Sequence, residues 1–259
     1  MKNIFDLNGK TVVVMGGSGN LGTAEVDAVA TFGANVVSVH LPEENLSETR
    51  NNVFHVDADF SDKQAHLAVF ERIKREFGSI DVLINNAAYG GGSGGKGLSL
   101  EIENFHDEAW YSGIDGNLGL TFRSMREAIP MMKEKGGSII NIASMYGVVS
   151  PDPGIYGDSG SNSPVTYGVA KAGVLQLTRY AAAHLAKYGI RVNAITPGPF
   201  PNKATLANKE FAARLADKTM LKRTGERSEM AGAIVLLASD ASTFMTGSNI
   251  TVDGGWTAW

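Results

Sequence analysis

The chain has 259 residues, 43% hydrophobic and 19% charged, which is too apolar and too weakly charged for a disordered chain. Its net charge of −4 comes without a basic block, so nucleic acid is not an expected partner, and the absence of cysteine excludes disulfides, thiolate metal sites and a thiol nucleophile. Asp6 falls where a signal peptide needs an apolar core, and no apolar run approaches the roughly 18 residues of a membrane span, so the expectation is a cytoplasmic protein with no membrane partner.

Short β-branched runs alternate with longer helical stretches. Residues 11–14 predict a strand and residues 21–32 a helix; strands at 35–39 and 53–56 follow, then a helix over 63–77. Residues 81–84 read as another buried strand, and a long amphipathic stretch over 104–135 leads into a strand at 138–142. A helix over 166–187, a strand at 190–195, a helix over 228–238 and a last strand at 249–252 complete the chain. Strands apolar on both faces and separated by helices imply a parallel sheet covered on both sides. The expected architecture is α/β: a doubly wound (Rossmann), mostly parallel seven-stranded sheet with helices on both faces, in a single domain spanning residues 1–259. Two regions break the rhythm, the Gly-rich loop 89–97 and the segment 145–164; both should emerge beyond the carboxyl ends of strands, where such sheets bind ligands.

After the first strand, Met15-Gly16-Gly17-Ser18-Gly19-Asn20-Leu21-Gly22 opens a helix. This strand–turn–helix setting suits a dinucleotide pyrophosphate: glycines admit the anion to the backbone, and the helix N-terminus offers unpaired N–H groups and partial positive charge. Read alone, it could equally be a Gly-rich turn that binds nothing. An acid is sought about 20 residues further on. His40 ends the second strand, and Glu43 and Glu44 lie near that separation but beyond Pro42. Asp59 and Phe60 follow the third strand, where Asp59 could meet an adenine edge or cap the next helix. Asn85-Asn86-Ala87-Ala88 follows the fourth strand, its amides suited to holding turns, lining the cofactor groove, or both.

Tyr167-Gly168-Val169-Ala170-Lys171 sets a phenol and an ammonium on one helical face. A phenol of ordinary pKa, about 10, is a poor acid–base catalyst at neutral pH, and a nearby positive charge favours the phenolate. Alone, the pair could be a surface pair, Ser144 a strand-end cap, and Asn117, in Asp115-Gly116-Asn117-Leu118-Gly119, a helix-packing amide.

Taken together, these residues resemble the short-chain dehydrogenase/reductase family in its shorter, one-domain form. The resemblance runs from Leu7-Asn8-Gly9-Lys10 through the Gly turn, Asn85-Asn86-Ala87, Asn117, Ser144 and Tyr167…Lys171 to Pro197-Gly198 and Val252-Asp253-Gly254-Gly255. It implies a catalytic tetrad of Asn117, Ser144, Tyr167 and Lys171, with Tyr167 as general acid or base, Lys171 lowering its pKa and binding ribose hydroxyls, Ser144 holding the substrate oxygen, and Asn117 positioning a water. It implies cofactor contacts from Gly16, Ser18, Asn20, Leu21, Gly22, His40, Asp59, Phe60, Asn86, Ala87, Tyr167, Lys171, Pro197, Gly198 and Phe200, no metal, and a homotetramer.

The departures are specific. Met15 replaces the family's Thr and Asn20 its middle Gly, an exchange that Asn's tolerance of a left-handed backbone permits. Ala88 replaces a Gly, Asn202 stands where a Thr often meets the carboxamide, and the interval from Ser144 to Tyr167 is longer than usual. His40 replaces the Asp that selects NAD, without an Arg or Lys to select NADP; the cofactor is expected to be NADP or NAD, with a lean to NADP.

The sequence therefore reads as an NAD(P)-dependent oxidoreductase interconverting a secondary alcohol and a ketone. The alternative is a cofactor-sensing or scaffold protein that has lost catalysis, which an intact tetrad opposes. An epimerase sharing the Tyr–Lys pair would carry a further C-terminal domain, for which no room is expected after Gly255. The polar segment 145–164 is expected to be a substrate-facing flap, or else a surface or subunit-contact loop, and together with residues 198–222 to receive a polar sugar, sugar acid or polyol.

Overall fold

The structure is a computed structural model that describes residues 3–42, 50–62, 64–88 and 101–259. The strands are β1 (Thr11–Met15), β2 (Asn35–His40), β3 (Val53–Asp57), β4 (Val82–Asn85), β5 (Gly137–Ile142), β6 (Ile190–Pro197) and β7 (Asn249–Val252). They form one seven-stranded sheet in the order β3-β2-β1-β4-β5-β6-β7, and every strand pair is parallel. The order reverses between β1 and β4, and the crevice beyond their carboxyl ends is where such sheets take ligands.

The helices are α1 (Gly22–Thr31), α2 (Ala65–Phe77), α3 (Asp107–Ile114), α4 (Leu120–Met132), α5 (Val165–Leu185), α6 (Lys203–Ala207), α7 (Lys209–Asp217) and α8 (Ala231–Ala238). One apolar layer joins α2, α4 and α5 to the sheet through Val13, Leu83, Ile139 and Ile73. The opposite layer joins α1 and α8 through Val12, Ile84, Ile140 and Ile234. Alternate residues of the central strands thus point to opposite faces, and both faces are covered, as the doubly apolar strands predict.

Three details depart from the sequence reading. The stretch 104–135 is two helices joined through a π-helical turn, Asp115–Gly119, because Gly116 and Gly119 weaken regular helix there. Residues 198–222, expected as loop, contain α6 and α7, each started by an asparagine side chain: Asn202 accepts from the Thr205 amide at 2.9 Å and Asn208 from the Phe211 amide at 3.1 Å. The helix expected from Lys63 begins at Ala65, and Lys63, Glu43, Glu44 and the loop 89–97 lie outside the described residues.

Candidate active site

The chain leaves β1 through Gly16, whose φ of 84° lies in the region that favours glycine. The Gly16 amide donates to the Val39 carbonyl at 2.7 Å, while the Asn86 and Ala87 amides donate to the Met15 carbonyl at 3.1 and 2.7 Å. The Asn86 side chain donates to the Gly16 carbonyl at 3.1 Å. A Cβ on Gly16 would stand 2.7 Å from the Ala87 Cα, and one on Gly22 would overlap the Gly16 carbonyl. The turn is wound too tightly for side chains at Gly16 and Gly22, which lets an anion approach the positive end of α1, where the Thr23 and Glu25 amides donate to the Gly19 and Leu21 carbonyls at 3.0 Å.

Beside this turn lies a cavity of about 480 Å³ lined by Gly16, Ser18, Asn20, Leu21, His40, Asp59, Phe60, Asn86 and Ala87, all expected cofactor contacts. Five further lining residues, Gly19, Leu41, Ala58, Ala88 and Leu120, were not among the expected contacts. The glycine cradle, the helix N-terminus and this elongated lining from turn to β3 fit a dinucleotide. Asp59 lines the cavity and also accepts from the Ser61 amide at 2.9 Å, a bond that holds its carboxyl below the usual range. Asp59 therefore holds the turn before α2 rather than capping that helix, whose start at Ala65 has no side-chain cap.

Asn20 does not adopt the left-handed backbone that its replacement of glycine suggested; Lys222 is the residue other than glycine with positive φ among those described. Instead its side-chain amide donates to the Phe200 carbonyl at 3.0 Å. That bond ties the phosphate turn to the loop after β6, where the Gly198 amide donates to Val252 at 2.9 Å and Pro197 pairs with Val252 in the sheet. Asn202 is committed to capping α6.

His40 is buried, with Nδ1 2.8 Å from the Leu41 carbonyl and Nε2 3.0 Å from His55 Nδ1. Asp57 approaches His40 Nδ1 at 3.7 Å. Both ring nitrogens are therefore engaged by the protein, whatever the proton count, and neither is available to a phosphate.

Ser144, Tyr167 and Lys171 converge beyond the end of β5. Ser144 follows that strand in extended conformation; its Oγ accepts from the Tyr146 amide at 3.2 Å, and its hydroxyl lies near enough to the Tyr167 phenol to lower the phenol's pKa. Tyr167 and Lys171 lie on consecutive turns of α5, with Lys171 Nζ 5.8 Å from the Tyr167 ring centroid. Lys171 is 5% exposed and donates to the Ile142 carbonyl at 2.9 Å. Asn117, in the π-helical turn, donates to the Gly113 carbonyl at 3.0 Å, and its own carbonyl accepts from Thr121 at 2.9 Å. A Cβ on Gly113 would stand 2.7 Å from that of Thr166, so the Asn117 turn is pressed against the start of α5.

The electrostatics correct one expectation. Burial pushes the Tyr167 phenol above its ordinary value, and the Ser144 hydroxyl opposes the shift. Burial also lowers Lys171, to about 8, opposed by Glu25. Glu25 was not singled out from the sequence. Its signal was an acid in an apolar helical stripe with Val26, Val29 and Ala30.

The segment 145–164 forms two 3₁₀ turns, Met145–Gly147 and Pro153–Ser159. The second is held by α7: Arg214 Nε donates to the Ile155 carbonyl at 2.6 Å, Tyr156 stacks on Phe211 with centroids 5.4 Å apart, and Lys218 pairs with Asp152. The first turn and the rim of the second line another cavity of about 480 Å³ with Glu101, Ile102 and Glu103.

The doubly wound sheet, the anion-binding turn and the Ser–Tyr–Lys cluster beyond its carboxyl edge define a dinucleotide-dependent oxidoreductase. Residues 17–257 match the family described as Enoyl-(Acyl carrier protein) reductase. The chain is 34% identical to trans-4-hydroxycyclohexanecarboxylate dehydrogenase of Sinomonas cyclohexanicum, covering 96% of this chain and 93% of that one. The short-chain dehydrogenase of Leptospira borgpetersenii with bound NAD+ superposes with a TM-score of 0.86 at 31% identity, over 99% of this chain and 96% of that one. A gluconate 5-dehydrogenase of Burkholderia cenocepacia, in complex with NADP and tartrate, superposes with a TM-score of 0.85 at 25% identity, over 99% and 98%. The chain belongs to the short-chain dehydrogenase/reductase family. It is an oxidoreductase of alcohol and carbonyl groups, and its cofactor is a nicotinamide dinucleotide.

Proposed function

We infer that the chain interconverts a secondary alcohol and a ketone on a polar sugar, sugar acid or polyol, with Tyr167 as the proton-transfer residue. The observation that carries this reading is the convergence of Ser144, Tyr167 and buried Lys171 at the carboxyl edge of β5, with Lys171 Nζ 5.8 Å from the Tyr167 ring centroid. The bound nicotinamide supplies or accepts the hydride. Ser144 holds the substrate oxygen next to the phenol. Tyr167 donates a proton to that oxygen in reduction and takes it back in oxidation. The Lys171 ammonium steadies the phenolate that results and binds the ribose hydroxyls, while Asn117 positions a water that carries protons from solvent. Gly16, Ser18, Leu21 and Gly22 hold the pyrophosphate at the start of α1, and Asp59, Phe60, Asn86 and Ala87 line the adenosine end. Pro197, Gly198 and Phe200 flank the nicotinamide.

The polar segment 145–164 and the α6–α7 region within 198–222 support a hydroxylated substrate, and the gluconate 5-dehydrogenase likeness points the same way. We take residues 1–259 as one domain that assembles as a homotetramer in the cytoplasm. The exposed apolar side chains Phe122 and Tyr180 on α4 and α5 support assembly, and none of the described helices is long and apolar enough to cross a membrane. For the cofactor, the lean to NADP follows from the absence of an Asp at position 40 to repel the 2′-phosphate, with a protonated His40 as an added attraction. With both its nitrogens engaged and Asp57 close by, NAD is the better reading.

The test is a screen of sugars, polyols, hydroxy acids and their keto forms with both cofactors, repeated with Tyr167→Phe. The variant should bind cofactor and lose a factor of about 10²–10⁴ in turnover. Activity within about threefold of the parent overturns the assignment of Tyr167.

A further inference from the structure

A row of polar side chains crosses the apolar layer beneath the site. Asn85 ends β4 and stands opposite Asn141 of β5 in the sheet. Its Nδ2 donates to Asn141 Oδ1 at 2.8 Å, Asn141 Nδ2 donates to Thr178 Oγ1 on α5 at 2.9 Å, and the Thr178 hydroxyl donates to the Val174 carbonyl at 2.8 Å. Each of the three side chains is buried, on the face that Leu83, Ile139 and Met125 otherwise make apolar.

The bonds run in one direction. Thr178 uses its single proton on Val174, so its Oγ1 must accept from Asn141. Asn141 therefore turns its NH₂ to α5 and its carbonyl to β4, and Asn85 must donate. One amide thus ties a strand on one side and a helix on the other, in a single orientation. Asn85 Oδ1 has no hydrogen-bond partner, so the row lowers stability at its β4 end, where an apolar side chain would continue the layer without that penalty. A polar row that lowers stability and admits one arrangement points to a role in geometry.

Each member stands close to a residue of the site. Asn85 precedes Asn86, which lines the cofactor cavity and whose side chain donates to the Gly16 carbonyl at 3.1 Å. Asn141 precedes Ile142, whose carbonyl accepts from Lys171 Nζ at 2.9 Å. Thr178 lies two turns beyond Lys171 on the buried face of α5, with Val174 between them.

Resting on the tetrad reading, we propose that Asn85, Asn141 and Thr178 are positioning residues: the row holds β4 and α5 against β5 so that Asn86 meets the Gly16 turn and Lys171 meets the Ile142 carbonyl, beside Tyr167 and the cofactor ribose. Without the Thr178 hydroxyl, Asn141 loses its oxygen partner on α5, and the helix that carries Tyr167 and Lys171 loses a polar tie to β5.

The experiment compares Thr178→Val, which exchanges the hydroxyl for a methyl of similar size, with Thr178→Ser, which keeps the hydroxyl. Titrated with reduced cofactor, the valine variant should bind about fivefold more weakly. Its kcat for the best carbonyl compound of the screen should fall about tenfold. The serine variant should melt at lower temperature, for want of a buried methyl, yet keep Kd and kcat within about twofold of the parent. In a Lys171→Met background, Thr178→Val should change cofactor Kd by less than about twofold, because its effect passes through Lys171. A merely structural Thr178 would lower melting in both variants and leave Kd and kcat of the folded protein in place. Unchanged Kd and kcat in the valine variant, or an equal loss of affinity with and without Lys171, overturn the proposal. Should the valine variant fold poorly, Asn85→Leu tests the other end of the row: cofactor Kd should rise about threefold through Asn86, and an unchanged Kd overturns the proposal. If Tyr167→Phe remains active, the tetrad reading fails. If that variant is inactive and Thr178→Val matches the parent, this inference alone fails.

Discussion

Asn20 donates its side-chain amide to the carbonyl of Phe200, 180 residues away in sequence, at 3.0 Å. The bond joins the Gly-rich turn after β1 to the loop that follows β6, which the proposed function sets on either side of the cofactor. Restoring the family's glycine with Asn20→Gly should therefore weaken cofactor binding. A neutral hydrogen bond contributes about 1 kcal/mol, or roughly fivefold in Kd. Fluorescence titration with reduced cofactor measures it, and equal or tighter binding by Asn20→Gly would show that the tether is dispensable.

His66 should make the fold acid-sensitive. It is fully buried, its ring lies 4.4 Å from that of Phe60, and neither nitrogen has a hydrogen-bond partner. Burial, aided by Arg123 and Arg126, lowers its pKa from 6.5 to about 4. The unfolded chain takes up the proton near 6.5 and the folded chain only near 4, so stability is lost as pH falls between those values, by at most about 3 kcal/mol. His66→Phe keeps the ring packing and removes the titration. Its melting temperature should drop less than the parent's between pH 7 and pH 5, and an equal drop would assign the acid sensitivity elsewhere.

Cofactor choice can be read at the adenosine end of the groove. The segment from Leu41 to Thr49 contains no Lys or Arg, and His40 has no nitrogen to spare. NADH should therefore bind more tightly than NADPH. Leu41 is 56% exposed and lines the cavity, so Leu41→Arg places a guanidinium within reach of a 2′-phosphate. That variant should gain on the order of tenfold in NADPH affinity, with little change for NADH. A parent preference for NADPH would refute the reading.

What the sequence disclosed follows from how local each signal is. The sheet was legible because its strands are apolar on both faces, and the site residues because each occupies a short motif at a strand end or on one helix. Helices α6 and α7 escaped because five and nine residues are too few for periodicity to stand out; their asparagine caps were the available signal. The left-handed backbone expected at Asn20 failed because a tertiary bond gives that side chain a different use. The direction of the Tyr167 shift escaped because it depends on burial, which only the assembled fold sets.

The contact between α7 and the flap yields the last prediction. Arg214 and Ile155 are 59 positions apart, so no local pattern announces their bond. Arg214 is anchored by Glu210 at 2.6 Å while its Nε donates to the Ile155 carbonyl, and Tyr156 stacks on Phe211 beside Leu215 and Trp256. Tyr146 packs against the same apolar cluster as Tyr156, and the Tyr146 amide donates to the Ser144 hydroxyl. A continuous set of contacts therefore runs from α7 through the segment 145–164 to Ser144, the residue proposed to hold the substrate oxygen. Arg214→Met keeps most of the aliphatic stem and removes the donor. A partly exposed charged hydrogen bond of this kind contributes about 1–2 kcal/mol, enough to raise the substrate KM roughly five- to thirtyfold if the flap must be in place for binding. Cofactor Kd should stay within about twofold, since no cofactor contact is altered. A variant with unchanged KM would mean that the flap's hold on α7 serves the fold alone, and a parallel loss of cofactor affinity would mean that α7 supports the whole groove rather than its substrate side.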